Sequence, residues 1–137
     1  MKGLYILLIE LPEATVVQTR NRVFNLNRGY YAYLGSAMGG REARIERHLS
    51  SERKHHWHID FLLDKAGIQA VISCETEKRV ECLVAQHLAD LAAVAGFGCS
   101  DCRCRSHLFY SKDFNELTTV AVRAFEAAGL KPVIWAL

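Results

Sequence analysis

Apolar residues run without a breaker along KGLYILLIE, residues 2–10, and this run predicts a buried strand. Pro12 ends it, because proline offers no N–H to a ladder. Residues 15–24 and 29–35 predict two further strands, with the turn-forming NLNRG between them. Gly39-Gly40 breaks the chain before a helix over 41–50. Residues 57–65 predict a short helix, with Trp57 and Phe61 one turn apart on its apolar side. IQAVISC, residues 68–74, reads as a strand. Residues 77–95 carry the strongest helical period, at Val80, Leu83, Val84, His87, Leu88, Leu91 and Val94, with Gly96 as the stop. A strand at 107–111, a helix at 114–128 stopped by Gly129, and a closing strand in KPVIWAL complete the pattern. Pro132 places that last strand at a sheet edge. The expected class is α/β: a small mixed or antiparallel sheet flanked by helices, in a single domain over 1–137.

Composition narrows the class further. Half of the 137 residues are hydrophobic, enough for a core. No segment reaches the ~18 apolar residues of a membrane span, and Leu4–Leu11 lacks the flanks of a signal peptide. A soluble cytoplasmic protein with no membrane partner is expected. The net charge is +2, and its distribution is uneven. Residues 41–58 hold five Lys/Arg against three Glu, the whole excess of the chain, together with four of the six histidines. At about 100° per residue, Arg41, Arg44, Arg47 and His48 share roughly 120° of one helix face. Glu42 and Glu46 lie off that face, and Ile45 and Leu49 form a narrow apolar stripe beside it. A face sorted in this way gives up i,i+4 ion pairs and suits an anionic partner; a solvated charged surface is the plainer alternative.

The tyrosines add specificity. In a strand, Tyr31 and Tyr33 share one side and Tyr30 takes the other. Gly3-Leu4-Tyr5, then Tyr33-Leu34-Gly35-Ser36-Ala37, then Arg44 and His48 on the following helix, resemble the GIY-YIG nuclease superfamily. Its signature is a Gly-Ile-Tyr strand, a Tyr-Ile-Gly strand and a helix with an essential arginine, often with a histidine one turn on. Leucine replaces isoleucine in both tripeptides here, and the interval from Tyr5 to Tyr33 is longer than usual. More narrowly, YLGSAMGG, RIERHL, HWHIDFLL, VEC and GFGCSDCRCRSHLFY are similar to the DUF123 group, also labelled Uri-type endonucleases, over nearly the whole chain.

The resemblance implies a GIY-YIG-like fold and a metal-dependent endonuclease hydrolysing phosphodiester bonds in DNA, with RNA as the second choice, in repair or processing. It implies one Mg²⁺ or Mn²⁺ held by a glutamate from a later helix. Glu81, at the edge of the 77–95 apolar stripe, is the candidate, with Glu75 and Glu77 as rivals and a plain surface carboxylate as the alternative. Tyr5 or Tyr33 would activate water, Arg44 would clamp the phosphate, and His48 would orient water or protonate the departing oxygen. Gly35, Ser36, Gly39, Gly40, Arg41, Arg47 and His58 would line the nucleic-acid path. A homodimer or an accessory DNA-binding partner is expected, because the chain carries no separate DNA-binding module.

Two other clusters compete. Cys99, Cys102, Cys104 and His107 fall within nine residues and have the composition of a zinc site. Structural zinc usually draws on two separated knuckles, so a thiol loop shaped by Gly96, Gly98 and Asp101 is the favoured reading, with zinc second and redox sensing third. His56, His58 and Asp60 would converge on a strand but not on a helix. Trp57 suits core packing, with base stacking as its alternative. The competing functions are therefore a non-catalytic nucleic-acid-binding module of the same fold and a zinc- or thiol-based regulatory protein.

Overall fold

The computed structural model of the protein describes residues 2–37, 39–50, 54–98 and 104–135. Cys99 and Cys102 therefore lie outside the described residues. Strand β1 (Gly3–Leu11) is central to the sheet and pairs antiparallel with β4 (Gly29–Ala37) on one side and β5 (Gly67–Glu75) on the other. With β6 (Ala92–Ala93), β7 (Leu108–Ser111) and β8 (Val133–Trp135), the six-stranded order is β6-β7-β4-β1-β5-β8. Every pairing is antiparallel, and β8 takes the edge expected from Pro132.

β1 is apolar along its length because both faces of the sheet are covered. Tyr5, Leu7, Ile9 and Leu11 join one core with Ile45 of α1 (Arg41–Leu49) and Ile59 and Leu62 of α2 (His58–Leu62). Leu4, Ile6 and Leu8 join the other core, under α3 (Glu81–His87) and α4 (Phe114–Ala127). Alternation along one strand thus feeds two hydrophobic cores. α4 ends as predicted: Gly129 takes a positive φ, and the Leu130 N–H returns to the Phe125 carbonyl.

Two elements differ from the sequence prediction. Residues 15–24 are not one strand but the start of a hairpin, β2 (Thr15–Gln18) and β3 (Val23–Leu26). The polar TRNR stretch turns the chain, with the Thr19 N–H on the Arg22 carbonyl at 2.8 Å. This hairpin occupies the long interval between Tyr5 and Tyr33. The helix predicted over 77–95 is only α3. The Lys78 N–H bonds to Thr76 Oγ1 at 3.0 Å, so the 76–80 segment is a turn. At the other end, Ala92 and Ala93 pair with Tyr110 and Phe109. The exposed edge of β7 supplies hydrogen-bond partners that a longer helix would forgo. The periodic residues Val84, Leu88 and Leu91 are buried all the same. Gly96 is therefore no helix stop; its N–H bonds to the Arg105 carbonyl.

Tyr5 faces Gly35 across the β1–β4 ladder. A Cβ on Gly35 would overlap the phenol ring and hydroxyl of Tyr5. We expect Gly35→Ala to lower unfolding free energy by about 1–3 kcal/mol, as overpacking does. Urea titration reads this directly, and a wild-type midpoint would count against the close fit.

Candidate functional site

An open cleft of about 480 Å³ lies where the first half of β1 meets α1, α2 and the hairpin turn. The sheet supplies Tyr5, Tyr33, Gly35 and Ser36, α1 supplies Arg44, and α3 supplies Glu81. Tyr5 and Tyr33 reach the same side because both belong to the alternating set that faces α1. His48 lies behind them, buried, with its Nε2 2.7 Å from Tyr5 Oη and its ring edge-on to Tyr33.

The face of α1 sorted for positive charge is the inward face. Ile45 and His48 are buried on it, whereas Leu49, assigned to the apolar stripe, is exposed. Arg44 donates to the Ser36 carbonyl at 3.3 Å, and its guanidinium lies over the Trp57 ring at 4.4 Å. Arg47 lies over the same ring at 4.5 Å and grips both oxygens of Asp60 at 2.9 and 3.1 Å. Asp60 also accepts the backbone N–H groups of His56 and Trp57. One buried carboxylate thus fixes the start of α2, the tryptophan and one of its two cations.

Burial dominates the electrostatics. It pushes the Tyr5 phenol well above its ordinary value, against the charge and hydrogen bond of Arg44. Tyr33 is pushed up by burial too, with Tyr5 and Glu81 adding to the rise. Burial also raises the Glu81 carboxyl, opposed by a hydrogen bond from Ser36 and the charge of Arg44. His107 stands beside it, Nδ1 3.6 Å from Glu81 Oε1, and burial lowers its pKa. Burial, then the charge of Arg22, lowers His58, whose Nδ1 accepts the Gly98 N–H at 3.0 Å. His58 therefore faces the cleft as a neutral imidazole with its proton on Nε2, not as a cation.

Of the residues singled out from sequence, Tyr5, Tyr33, Gly35, Ser36, Arg44, His58 and Glu81 line this cleft. Arg47 lines an adjoining hollow with Arg20, Lys54 and His56. Gly39 and Gly40 are absent from the lining, and Gly40 serves as the α1 cap residue. Arg41 is not in the cleft either. It is the first residue of α1, lies beside Gly3 and Cys74, and pairs with Glu42. His56, His58 and Asp60 do not form a metal triad, since the Asp60 oxygens are held by Arg47 and two backbone amides.

The sequence reading missed the hairpin turn, where Thr19, Arg20 and Asn21 enter the cleft wall and Arg20 donates to the His55 carbonyl at 2.9 Å. Asn21 between two arginines was the available turn signal. Trp57 is half-buried at the cleft rather than wholly in the core. Among the described residues, Cys104 and His107 of the cysteine cluster are joined by Cys82: donor atoms of the three lie within 4.8 Å of one another. Nothing in the local spacing marks Cys82, which topology brings to Cys104.

Among the described residues no helix is long and apolar enough to cross a membrane. No curated protein and no solved structure matches the chain. A family model described as a domain of unknown function, DUF123, matches residues 4–130. That span runs from β1 through α4 and takes in every residue of the cleft, and the chain belongs to the DUF123 family.

Proposed function

We propose that the protein is a metal-dependent endonuclease of the GIY-YIG type that hydrolyses phosphodiester bonds in DNA. The observation that carries the reading is the convergence of Tyr5, Arg44 and Glu81 on one cleft, with His48 hydrogen-bonded behind Tyr5. These groups come from β1, from α1 and from α3, and a purely structural role requires none of them to face the same space.

Glu81 fits a hard divalent cation. Its carboxylate lines the cleft, is partly desolvated, and gains from added positive charge. Mg²⁺ and Mn²⁺ commonly take one or two carboxylates and complete their shells with water and phosphate oxygens. When bound, such an ion supplies charge stabilisation at the phosphate and the leaving oxygen. The chain's own groups do the rest. Arg44 holds a phosphate oxygen through its fork, and its two fixed contacts, Ser36 and Trp57, keep it aimed. Tyr5 cannot act as a standing phenolate, because burial raises its pKa. It acts as a relay: Oη accepts a proton from the attacking water as its own proton passes to His48 Nε2, 2.7 Å away.

The relay predicts coupled losses. Tyr5→Phe and His48→Gln should each slow cleavage by about 10²-fold, and the double variant should lose little more than either one. Fully multiplicative losses would sink the relay.

The reading itself is tested by incubating the protein with branched, flapped, single-stranded and duplex DNA in Mg²⁺ or Mn²⁺. Cleavage that fails in Glu81→Ala and Arg44→Ala supports it. Cleavage undiminished in both refutes the site. Binding without cleavage of any substrate assigns the fold to a non-catalytic module.

A further inference from the structure

Cys82 is the second residue of α3, and Cys104 and His107 lie just before β7. Their donor atoms all fall within 4.8 Å of one another. We propose that these three residues form a Zn²⁺ site, distinct from the Mg²⁺ or Mn²⁺ position at Glu81, that ties the first turn of α3 to the lead-in of β7.

The donor set selects the metal. Two thiolates and an imidazole are soft and borderline ligands that suit zinc and leave Mg²⁺ or Ca²⁺ without the oxygens they require. Distance is compatible. Zinc bond lengths of about 2.0–2.3 Å put tetrahedral ligands about 3.5–4 Å apart, so closure from the observed spread takes a shift on the order of 1 Å. The side chains that must move are the ones with room, because Cys82 is exposed and Cys104 partly so. His107 is buried and held through its backbone, its N–H on the Phe97 carbonyl and its carbonyl on the Leu34 N–H, each at 2.9 Å. One anchored ligand and two adjustable ones, with an opening on the Cys82 side, describe a site that can fill from solvent. Each thiol gives its proton to solvent as its sulfur binds.

A second-layer partner is also present. The His107 ring turns Nδ1 toward the Glu81 carboxylate at 3.6 Å. Carboxylates commonly support ligating histidines from the far side of the ring. Glu81 and Cys82 are consecutive, so an ion on Cys82 also restrains the backbone that carries Glu81 over the cleft. The inference does not depend on nuclease activity, since its readout is metal content.

The test uses the full chain, purified under reducing conditions, loaded with Zn²⁺ and dialysed. Elemental analysis should find equimolar zinc. Co²⁺ substitution should give a thiolate-to-cobalt charge-transfer band together with a tetrahedral visible spectrum. Cys82→Ser should weaken zinc binding at least tenfold, while Cys74→Ser, in the core beneath α3 and outside the cluster, should leave it unchanged. Absence of stoichiometric metal, or of the charge-transfer band in the wild-type protein, overturns the site without recourse to variants. Equimolar zinc retained at wild-type affinity by Cys82→Ser overturns it as well, in favour of ligands from residues 99–104. Formation of a Cys82–Cys104 disulfide with no metal uptake by the reduced protein overturns it in favour of a thiol pair.

Discussion

Glu81→Gln is expected to slow DNA cleavage by about 10³-fold while leaving the folded protein at least as stable as wild type. The rate loss corresponds to about 4 kcal/mol of transition-state stabilisation, the scale of a bound cation acting at a phosphate. Glutamine keeps the size of the side chain and can still accept the Ser36 hydroxyl, so charge is what the substitution removes. Stability moves the other way. Burial raises the folded-state pKa of Glu81 above its unfolded value, so holding the group ionised at neutral pH costs folding free energy, and the neutral amide avoids that cost. The same shift predicts the acid limb of the pH–rate profile. A carboxylate must be ionised to hold a cation, so activity should begin to fall at a pH above the ordinary glutamate value of about 4.3. Initial rates and melting temperatures measured on one preparation check both halves. A rate within tenfold of wild type, or a large fall in melting temperature, would remove Glu81 from the metal role and make it a structural residue.

The two halves of this site differ in how visible they were in the chain. Strands β1 and β4 declare themselves by unbroken apolar runs, and Tyr5, Tyr33 and Gly35 follow once those strands are placed. α1 declares itself by its glycine pair and its period. Arg44 is marked locally only as one cation of a sorted helix face, and Glu81 carries no local signal of chemistry; the motif order singled out both. What stayed hidden depends on contacts between segments distant in sequence. Arg20 enters the cleft only because the 15–26 stretch folds as a hairpin, and turn residues there were outweighed by the valines on either side. α3 stops short because the edge of β7 competes for the chain, a partner that no helical period reports. Charge sorting on α1 was read correctly and its meaning only in part. Of the four residues, Arg44 faces the cleft, Arg47 is committed to Asp60, His48 to Tyr5, and Arg41 lies against the first residue of β1. A concentration of cations therefore marked a site while most of its members went to building it.

The largest stability effect follows from that construction. Asp60→Ala is expected to lower unfolding free energy by about 3 kcal/mol, the low end for breaking a buried ion pair. The carboxylate is fully buried, whereas the Arg47 side chain is 28% exposed and can turn to water once its partner is gone. The His56 and Trp57 N–H groups then lose their acceptor, and the Trp57 ring loses the frame that keeps it against Arg44. The pair also has a pH signature. Burial acts to raise the Asp60 pKa, but the Arg47 hydrogen bonds, the two backbone amides and the Arg47 charge outweigh it, leaving the carboxyl below its ordinary value. Its stabilisation is therefore complete above the unfolded value of about 3.9 and is lost as pH falls through the lower folded value. Arg47→Ala should reverse the sign. With its main counter-charge gone, burial takes over, the folded pKa rises above the unfolded one, and Asp60 costs stability as pH climbs out of the acid range. Urea unfolding of the wild-type protein and Arg47→Ala at a series of pH values from 3 to 7 separates the two, because the slopes contributed by this one group should have opposite signs. Parallel slopes would mean that the backbone amides alone hold the charge and that the Arg47 contact adds little to it.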